Sequence, residues 1–517
     1  MKSKHNLLIS LLILSFLFSI TSELYPQDDY KKWLKKENEK FNKFVEEDDK
    51  KFVEFLKKEW IQIGLEKDVP VYQKPKPISL PVYKPDLNEQ LEKPDLKSDD
   101  TPNEIKTEPT IIEQPPPNVI TPPVTKEVEN ISTEPTMNLA SSLEIDLVTN
   151  NMNSNINFFG SSIEYYYNDR LKVGIDGVLN KNKIAEYWNS ISSTDYKTCL
   201  LQAQFYKEKM KLNDWGYAKL LFDYAKVVHR SSLVENYMFT WFMLIKSGYL
   251  VRVGYMNDKI ALLIATDNKM YGLPYFFQKG CEQKFYSVSL DPEIKPLSGS
   301  LHIYKEDYPG SDKIFSLKIS DVPQIKNSIL SKEIKFSIKG VDFILPVKYD
   351  KSAIDFYEYY PQTDFSVYFA APMSKEASEN LLGGLKPLIE GKNELDAVNF
   401  LLHFVQYATE YKTDDEQFKR EKPFFPEESL YYDYSDCEDR AVFFSYLIKN
   451  LLGLEVIGID YPDHMATAVH FNENVRGTYF EQNNKKYIVC DPTYLGAGVG
   501  RVMPQYKGVG ADIIELN

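Results

Sequence analysis

The sequence predicts an α+β fold, on three observations. Residues 181–229 carry the apolar spacing of helices. Residues 291–371 are helix-poor and alternate like strands. From Asp396 onward, long helical patterns give way to short strands separated by turn residues. Length and charge set the frame. The chain has 517 residues, which is about three domains at the usual size. Aromatic residues make up 14%, so most of the chain can build cores. The net charge of −14 argues against nucleic acid, whose binding needs basic surface. Four cysteines are too few for a disulfide scaffold.

Residues 1–22 read as a signal peptide. Lys2 and Lys4 precede the apolar run Leu7 to Phe18, and small polar residues follow. The run is shorter than the roughly twenty residues of a spanning helix. The mature protein is therefore expected to be exported, to the periplasm, the cell surface or the medium. Residues 23–66 read as an amphipathic helix. Tyr30, Trp33 and Leu34 recur as Phe41, Phe44 and Val45, and again as Phe52, Phe55 and Leu56. A shift of 11 residues is three helical turns, so the nine side chains share one face. That face needs a cover: the protein's own body, a second copy in a coiled-coil-like pairing, an envelope partner or a membrane surface.

Residues 67–137 read as a Pro-rich linker. Fourteen of the 29 prolines lie between Pro70 and Pro135, with no glycine among them. Such a segment favours extended polyproline II and reads as a semi-rigid spacer. Residues 138–290 read as a mixed α+β domain, and residues 291–373 as a β-sandwich-like domain. The strand runs of the second are Gly299–Tyr304, Lys313–Ile319, Glu333–Ile344 and Asp364–Ala370. Within the first, Phe242–Val253 echoes Tyr446–Val456 as helix, glycine stop and strand. It reads either as a degenerate copy of the C-terminal domain or as the common helix–glycine–strand junction.

The chemistry lies in residues 374–517. Cys437 sits in Tyr-Ser-Asp-Cys-Glu-Asp-Arg, ahead of an apolar run that Gly453 stops. Ser435 or Asp436 is the expected N-cap, which places Cys437 at a helix N-terminus. The helix dipole there favours a thiolate, while Asp433, Asp436, Glu438 and Asp439 oppose it. A basic partner is needed. His464 opens a strand after the turn Tyr461-Pro462-Asp463, and Asp491 ends another. In an antiparallel meander the two ends meet. Cysteine is then the nucleophile, histidine the base, and the aspartate orients the imidazole. His470 is a rival base, while His403 and Cys490 read as structural. Neither calcium-loop nor zinc spacing is present, so no metal or cofactor is expected. The carboxylates near Cys437 read as a polar rim that would select a cationic group.

These residues carry a resemblance. Asp-Cys-Glu-Asp-Arg-Ala around Cys437, His-Met-Ala-Thr-Ala-Val from His464 and Asp-Pro-Thr-Tyr from Asp491 resemble the transglutaminase-like superfamily, a branch of the papain-like cysteine protease fold. The match covers about the last 125 residues. The resemblance implies a catalytic triad of Cys437, His464 and Asp491, and acyl transfer or amide hydrolysis on a protein or peptide substrate through a thioester. Gln417, by analogy with papain-like enzymes, is the candidate second oxyanion donor beside the backbone N–H of Cys437. Many members carry an aromatic residue where this chain has Ala466, which leans the expectation toward hydrolysis. The full arrangement also resembles an exported group of such proteins from Bacteroidota-type bacteria. The rival expectation is a domain that keeps this fold without activity, in a binding or scaffold protein of the cell envelope.

Overall fold

The computed structural model describes residues 45–58, 60–67, 80–84, 152–230, 232–277 and 283–515. The residues read as a signal peptide, the first aromatic repeat, Phe41 and Phe44 of the second, and most of the segment read as a Pro-rich linker lie outside the described residues. The fold is α+β. It opens with α1 (residues 45–56), β1 (Ile61–Gly64) and β2 (Glu66–Lys67). A hairpin of β3 (Met152–Phe158) and β4 (Ser161–Tyr167) precedes four helices. These are α2 (Lys181–Ser192), α3 (Tyr196–Lys209), α4 (Asp214–His229) and α5 (Leu233–Lys246). Then come β5 (Val251–Met256), β6 (Lys259–Thr266), β7 (Pro274–Phe277), β8 (Lys284–Val288) and β9 (Ser300–Ile303).

The hairpin β10 (Ile329–Ile338) and β11 (Val341–Asp350) leads to α6 (Lys351–Glu358), α7 (Phe365–Ala370), α8 (Lys375–Ile389) and α9 (Glu394–Ala408). Short pieces follow: β12 (Glu410–Tyr411), α10 (Asp414–Phe418), α11 (Glu428–Tyr431) and β13 (Tyr434–Ser435). The chain finishes with α12 (Cys437–Leu447), β14 (Glu455–Tyr461), β15 (His464–His470), β16 (Tyr479–Gln482), β17 (Lys485–Cys490) and β18 (Asp512–Glu515). Among the described residues, no helix is long and apolar enough to cross a membrane.

The two large sheets share one topology. The C-terminal sheet has the order β16-β17-β15-β14-β18, and the other contains β7-β8-β6-β5-β9. Every pairing in both is antiparallel. Each is preceded by a helix, stopped by a left-handed glycine, Gly248 or Gly453. The register agrees as well. Tyr461 faces His464 and Thr467 faces Cys490; Met256 faces Lys259 and Leu262 faces Val288. The middle region thus shares the helix-and-meander topology of the C-terminal sheet and, lying earlier in the chain, is the first copy of that arrangement; the echo Phe242–Val253 spans its helix–glycine–strand junction.

The first copy is closed by the N-terminal arm. β1 pairs with β9 at one edge of the sheet and β2 pairs with β7 at the other, with Leu65 alone between them. One extended stave, residues 61–67, therefore joins both edges into a barrel and removes them from solvent. Ile61, Ile63 and Leu65 pack against an interior of Leu263, Phe276, Phe285 and Leu301.

Several expectations change. The helical reading of residues 23–66 ends at residue 56, because residues 61–67 gain a full ladder in the barrel. The β-sandwich of residues 291–373 is not formed. β9 belongs to the barrel, β10 and β11 make a two-stranded hairpin, and 365–370 is helical. Residues 313–319 do bury alternate side chains (Phe315, Leu317 and Ile319), but they pair only through isolated bridges at Lys313 and Phe315. Period-2 burial was legible there; the missing ladder was not. In α7 the aromatic and branched residues have strand propensity, which packing overrides. The linker also touches down: Val82 bridges Leu495.

The third aromatic repeat packs on the protein itself. Phe52 lies among Trp188, Trp241, Tyr304 and Tyr308, with ring centroids 4.7–6.4 Å apart. Asp49 accepts from Trp188 at 3.0 Å and pairs with the buried Lys246. Burial pushes Lys246 down to about 8, with Asp49 opposing. The core holding Phe52 is continuous through Phe369 and Phe425 to Cys437 and Met465, so no break in packing separates the middle from the C-terminal region.

Phe52→Ala is expected to cost about 3–5 kcal/mol in denaturant unfolding, as for other buried aromatic truncations. A second expectation concerns His229, lowered to about 4 by burial against Tyr187 and Phe239. The unfolded state binds its proton first, near pH 6.5, so stability rises with pH between about 4 and 6.5, by about 3 kcal/mol for this group. His229→Phe should flatten that part of the stability–pH curve.

Candidate active site

Each element of the site is placed by identifiable contacts. α12 begins with Asp436 at the N-cap, in a capping box with Asp439. The Asp439 carboxylate accepts from the Asp436 N–H at 3.1 Å and from the Phe424 N–H at 2.9 Å. Every residue of α12 is buried, so its apolar and charged residues alike face protein. Arg440 clamps the first turn to the end of α9. It donates to Ser435 Oγ at 3.1 Å, Gln406 O at 3.3 Å and Thr409 O at 2.9 Å. Burial lowers its pKa to about 10. A two-residue parallel ladder of β12 and β13 secures the same junction.

His464 and Asp491 meet as the meander requires. Thr467 faces Cys490, which puts Asp491 beside the start of β15. The His464 Nε2 to Asp491 Oδ2 distance is 2.9 Å. An ionised carboxylate only accepts, so Nε2 carries the proton and Nδ1 is left with its lone pair. Nδ1 is buried and has no hydrogen-bond partner among the described residues. The other carboxylate oxygen of Asp491 accepts from Thr493 N–H at 2.9 Å and Tyr494 N–H at 3.2 Å. The imidazole lies parallel to Tyr506, with centroids 5.1 Å apart, and Tyr506 stacks in turn on Tyr461 at 4.7 Å. The Tyr506 phenol is held in its neutral form. Burial is the largest cause, followed by its hydrogen bond to Asp463 and the nearby Cys437 and Asp491.

The site is closed. Cys437 and His464 are 0% exposed and Asp491 2%. The Cys437 thiol donates to Glu438 Oε2 at 2.9 Å. The expected polar rim is not a rim: Asp436, Glu438 and Asp439 are at most 1% exposed. Asp436 and Asp439 face inward because they form the capping box and take up backbone donors, and Glu438 accepts from the Cys437 thiol. Asp433 is the exception; it is exposed and pairs with Lys332. Folding gathers acidic groups that lie apart in sequence. The ligand atoms of Asp436, Cys437 and Glu438, of Asp414, Glu421 and Glu438, and of Asp414, Asp436 and Asp439 each fall within 4.8 Å. Among the described residues these are the groups able to hold a cation.

The remaining candidates sort clearly. Gln417 is half-buried on α10, a helix brought to this neighbourhood by Asp414. Its own N–H bonds Thr413 O, at 3.0 Å. His470 sits six residues along β15 from His464, about 20 Å away, and bonds Lys486 O. His403 bonds Gln406 Oε1 at 2.9 Å, and burial lowers its pKa. Cys490 is buried and its thiol pKa is pushed up by burial. Ala466 is buried in the interior of the C-terminal sheet.

Gln406 escaped the sequence reading. Its amide nitrogen donates to the carbonyls of Asp491 (3.2 Å), Tyr494 (2.9 Å) and Ala497 (3.0 Å), while its oxygen accepts from Gly496 N–H at 3.0 Å. The signal was present: a glutamine four residues after Leu402, on the apolar stripe of α9. In the first copy the equivalent positions carry other residues. By helix start and strand register, Leu233 stands for Cys437, Lys259 for His464 and Ser289 for Asp491. That copy has no cysteine, histidine or aspartate at these places. Compared with known protein families, curated proteins and solved structures, the chain matches none.

The closed geometry makes a direct expectation. In the folded protein Cys437 should resist iodoacetamide as fully as the buried Cys199 and Cys490, and all three should label after denaturation, as read by peptide mass.

Proposed function

We propose that residues 374–517 form a transglutaminase-like domain of an exported protein, in which Cys437, His464 and Asp491 carry out acyl transfer or amide hydrolysis. The observation that carries the reading is the His464 ring. Its Nε2–H is committed to a carboxylate that is itself fixed by two backbone N–H groups, which leaves Nδ1 as the base. In the proposed reaction Nδ1 takes the thiol proton and the sulfur bonds to an amide carbon. The carbonyl electrons move to oxygen, where the first backbone N–H of α12 and the helix dipole offset the charge. Collapse expels the amine, which leaves with the proton from His464. Water or a second amine then attacks the thioester, giving its proton to His464, and the thiol is restored. A peptide or protein is the expected substrate, and no cofactor takes part.

The burial of Cys437 favours a second reading, a domain idle in this state within an envelope binding or scaffold protein. Assay of the mature chain separates the two, using fluorogenic peptide amides for hydrolysis and dansylcadaverine for amine transfer. On the catalytic reading Cys437→Ala abolishes turnover and Asp491→Asn lowers kcat by about 10²- to 10⁴-fold through the wrong imidazole tautomer. Turnover that persists in Cys437→Ala would exclude it.

A further inference from the structure

We infer that the loop 491–497, together with Arg501, is a binding site for an extended Pro-Val-Tyr peptide, and that Pro81-Val82-Tyr83 of this chain is its resident ligand. The pairing is a one-residue parallel strand addition. Tyr83 N–H donates to Leu495 O at 2.9 Å, and Leu495 N–H donates to Pro81 O at 3.0 Å. This is the main-chain mode by which sheet edges take up peptides. The site asks only a carbonyl of the first residue, and proline has only a carbonyl to offer. Val82 points away and is 56% exposed, so the second position is unread.

Tyr83 is read closely. Its ring meets Tyr494 edge-on at 5.7 Å, and the Arg501 guanidinium lies 5.3 Å from its centroid. It packs onto the apolar cluster that contains Tyr461 and Tyr506. The receiving loop is rigid, because Gln406 bonds three of its carbonyls and one N–H. A proline-held extended segment loses little freedom on docking. The sequence adds an independent sign. The same tripeptide occurs at Pro70-Val71-Tyr72, eleven residues earlier, so it recurs as a unit within the Pro-rich segment.

The inference concerns recognition and stands whether or not Cys437 is a nucleophile. A tethered ligand competes at an effective concentration on the order of mM. Wild-type protein should therefore reject a free peptide that the vacated site accepts. The test uses the full mature chain and a fluorescein-labelled synthetic peptide of residues 79–86. The variant Tyr72→Ala/Tyr83→Ala should bind it at least about tenfold more tightly than wild type. Adding Arg501→Ala, or changing the peptide tyrosine to alanine, should remove that gain. As a second reading, hydrogen exchange at the Leu495 amide should be about tenfold or more slower in wild type than in Tyr83→Ala. Equal binding of the tyrosine and alanine peptides, no saturable binding to the vacated variant, or equal Leu495 exchange in the two chains would overturn the inference.

Discussion

The candidate site depends on one side chain that takes no part in chemistry. Gln406, buried at the end of α9, bonds four backbone groups of the loop 491–497 through its side chain. Its backbone carbonyl accepts from Arg440, which holds the first turn of α12. The same residue therefore sets Asp491 on one side and Cys437 on the other. These two lie 54 positions apart in the chain, on elements that do not pair with each other. Buried polar groups are tolerated only when they are bonded, and here the bonding is also the positioning.

The two copies of the helix-and-meander unit show what the scaffold requires and what it leaves open. Both keep the strand order, the left-handed glycine after the helix and the register that sets the first residue of the second strand beside the end of its neighbour. These are conditions of chain geometry. The side chains at the positions of Cys437, His464 and Asp491 are not constrained by it, and the first copy carries Leu233, Lys259 and Ser289 there. Its Ser289 hydroxyl bonds Tyr237 and Asp291 O instead. The first copy also pairs its sheet edges with the N-terminal arm, while the second meets the described part of that arm at Leu495, Tyr494 and Arg501. One chain thus places different side chains on the same frame.

Local patterns were legible and long-range pairings were not. The N-cap at Asp436, the glycine stop at Gly453 and the opening of β15 at His464 follow from nearest neighbours, and the structure has each. So does the meeting of His464 with Asp491, because a meander is a local arrangement. Residues 313–319 were read as a strand from their alternation; the alternate burial is there but the strand is not, because nothing local says whether a partner strand exists. Residues 61–67 carried too few positions to distinguish a helix end from a stave closing a barrel. The carboxylates of Asp436, Glu438 and Asp439 were read as surface because charge usually is. Their burial rests on partners such as the Phe424 N–H, which lies 15 positions away from Asp439.

The N-terminal arm makes its contacts in a fixed sequence: the helix that buries Phe52, then the barrel stave of residues 61–67, then the docked segment around Val82. That order is mechanical as well as topological. Tension applied upstream of residue 45 loads the helix first and the stave next. The stave pairs at both sheet edges, so it must shear two ladders before it yields. The single bridge at Leu495 lies downstream of both and carries no load while they hold. Among the described parts of the arm, the attachment with the shortest ladder is thus shielded from such pulling by the two that precede it, and an event within residues 68–151 reaches it directly.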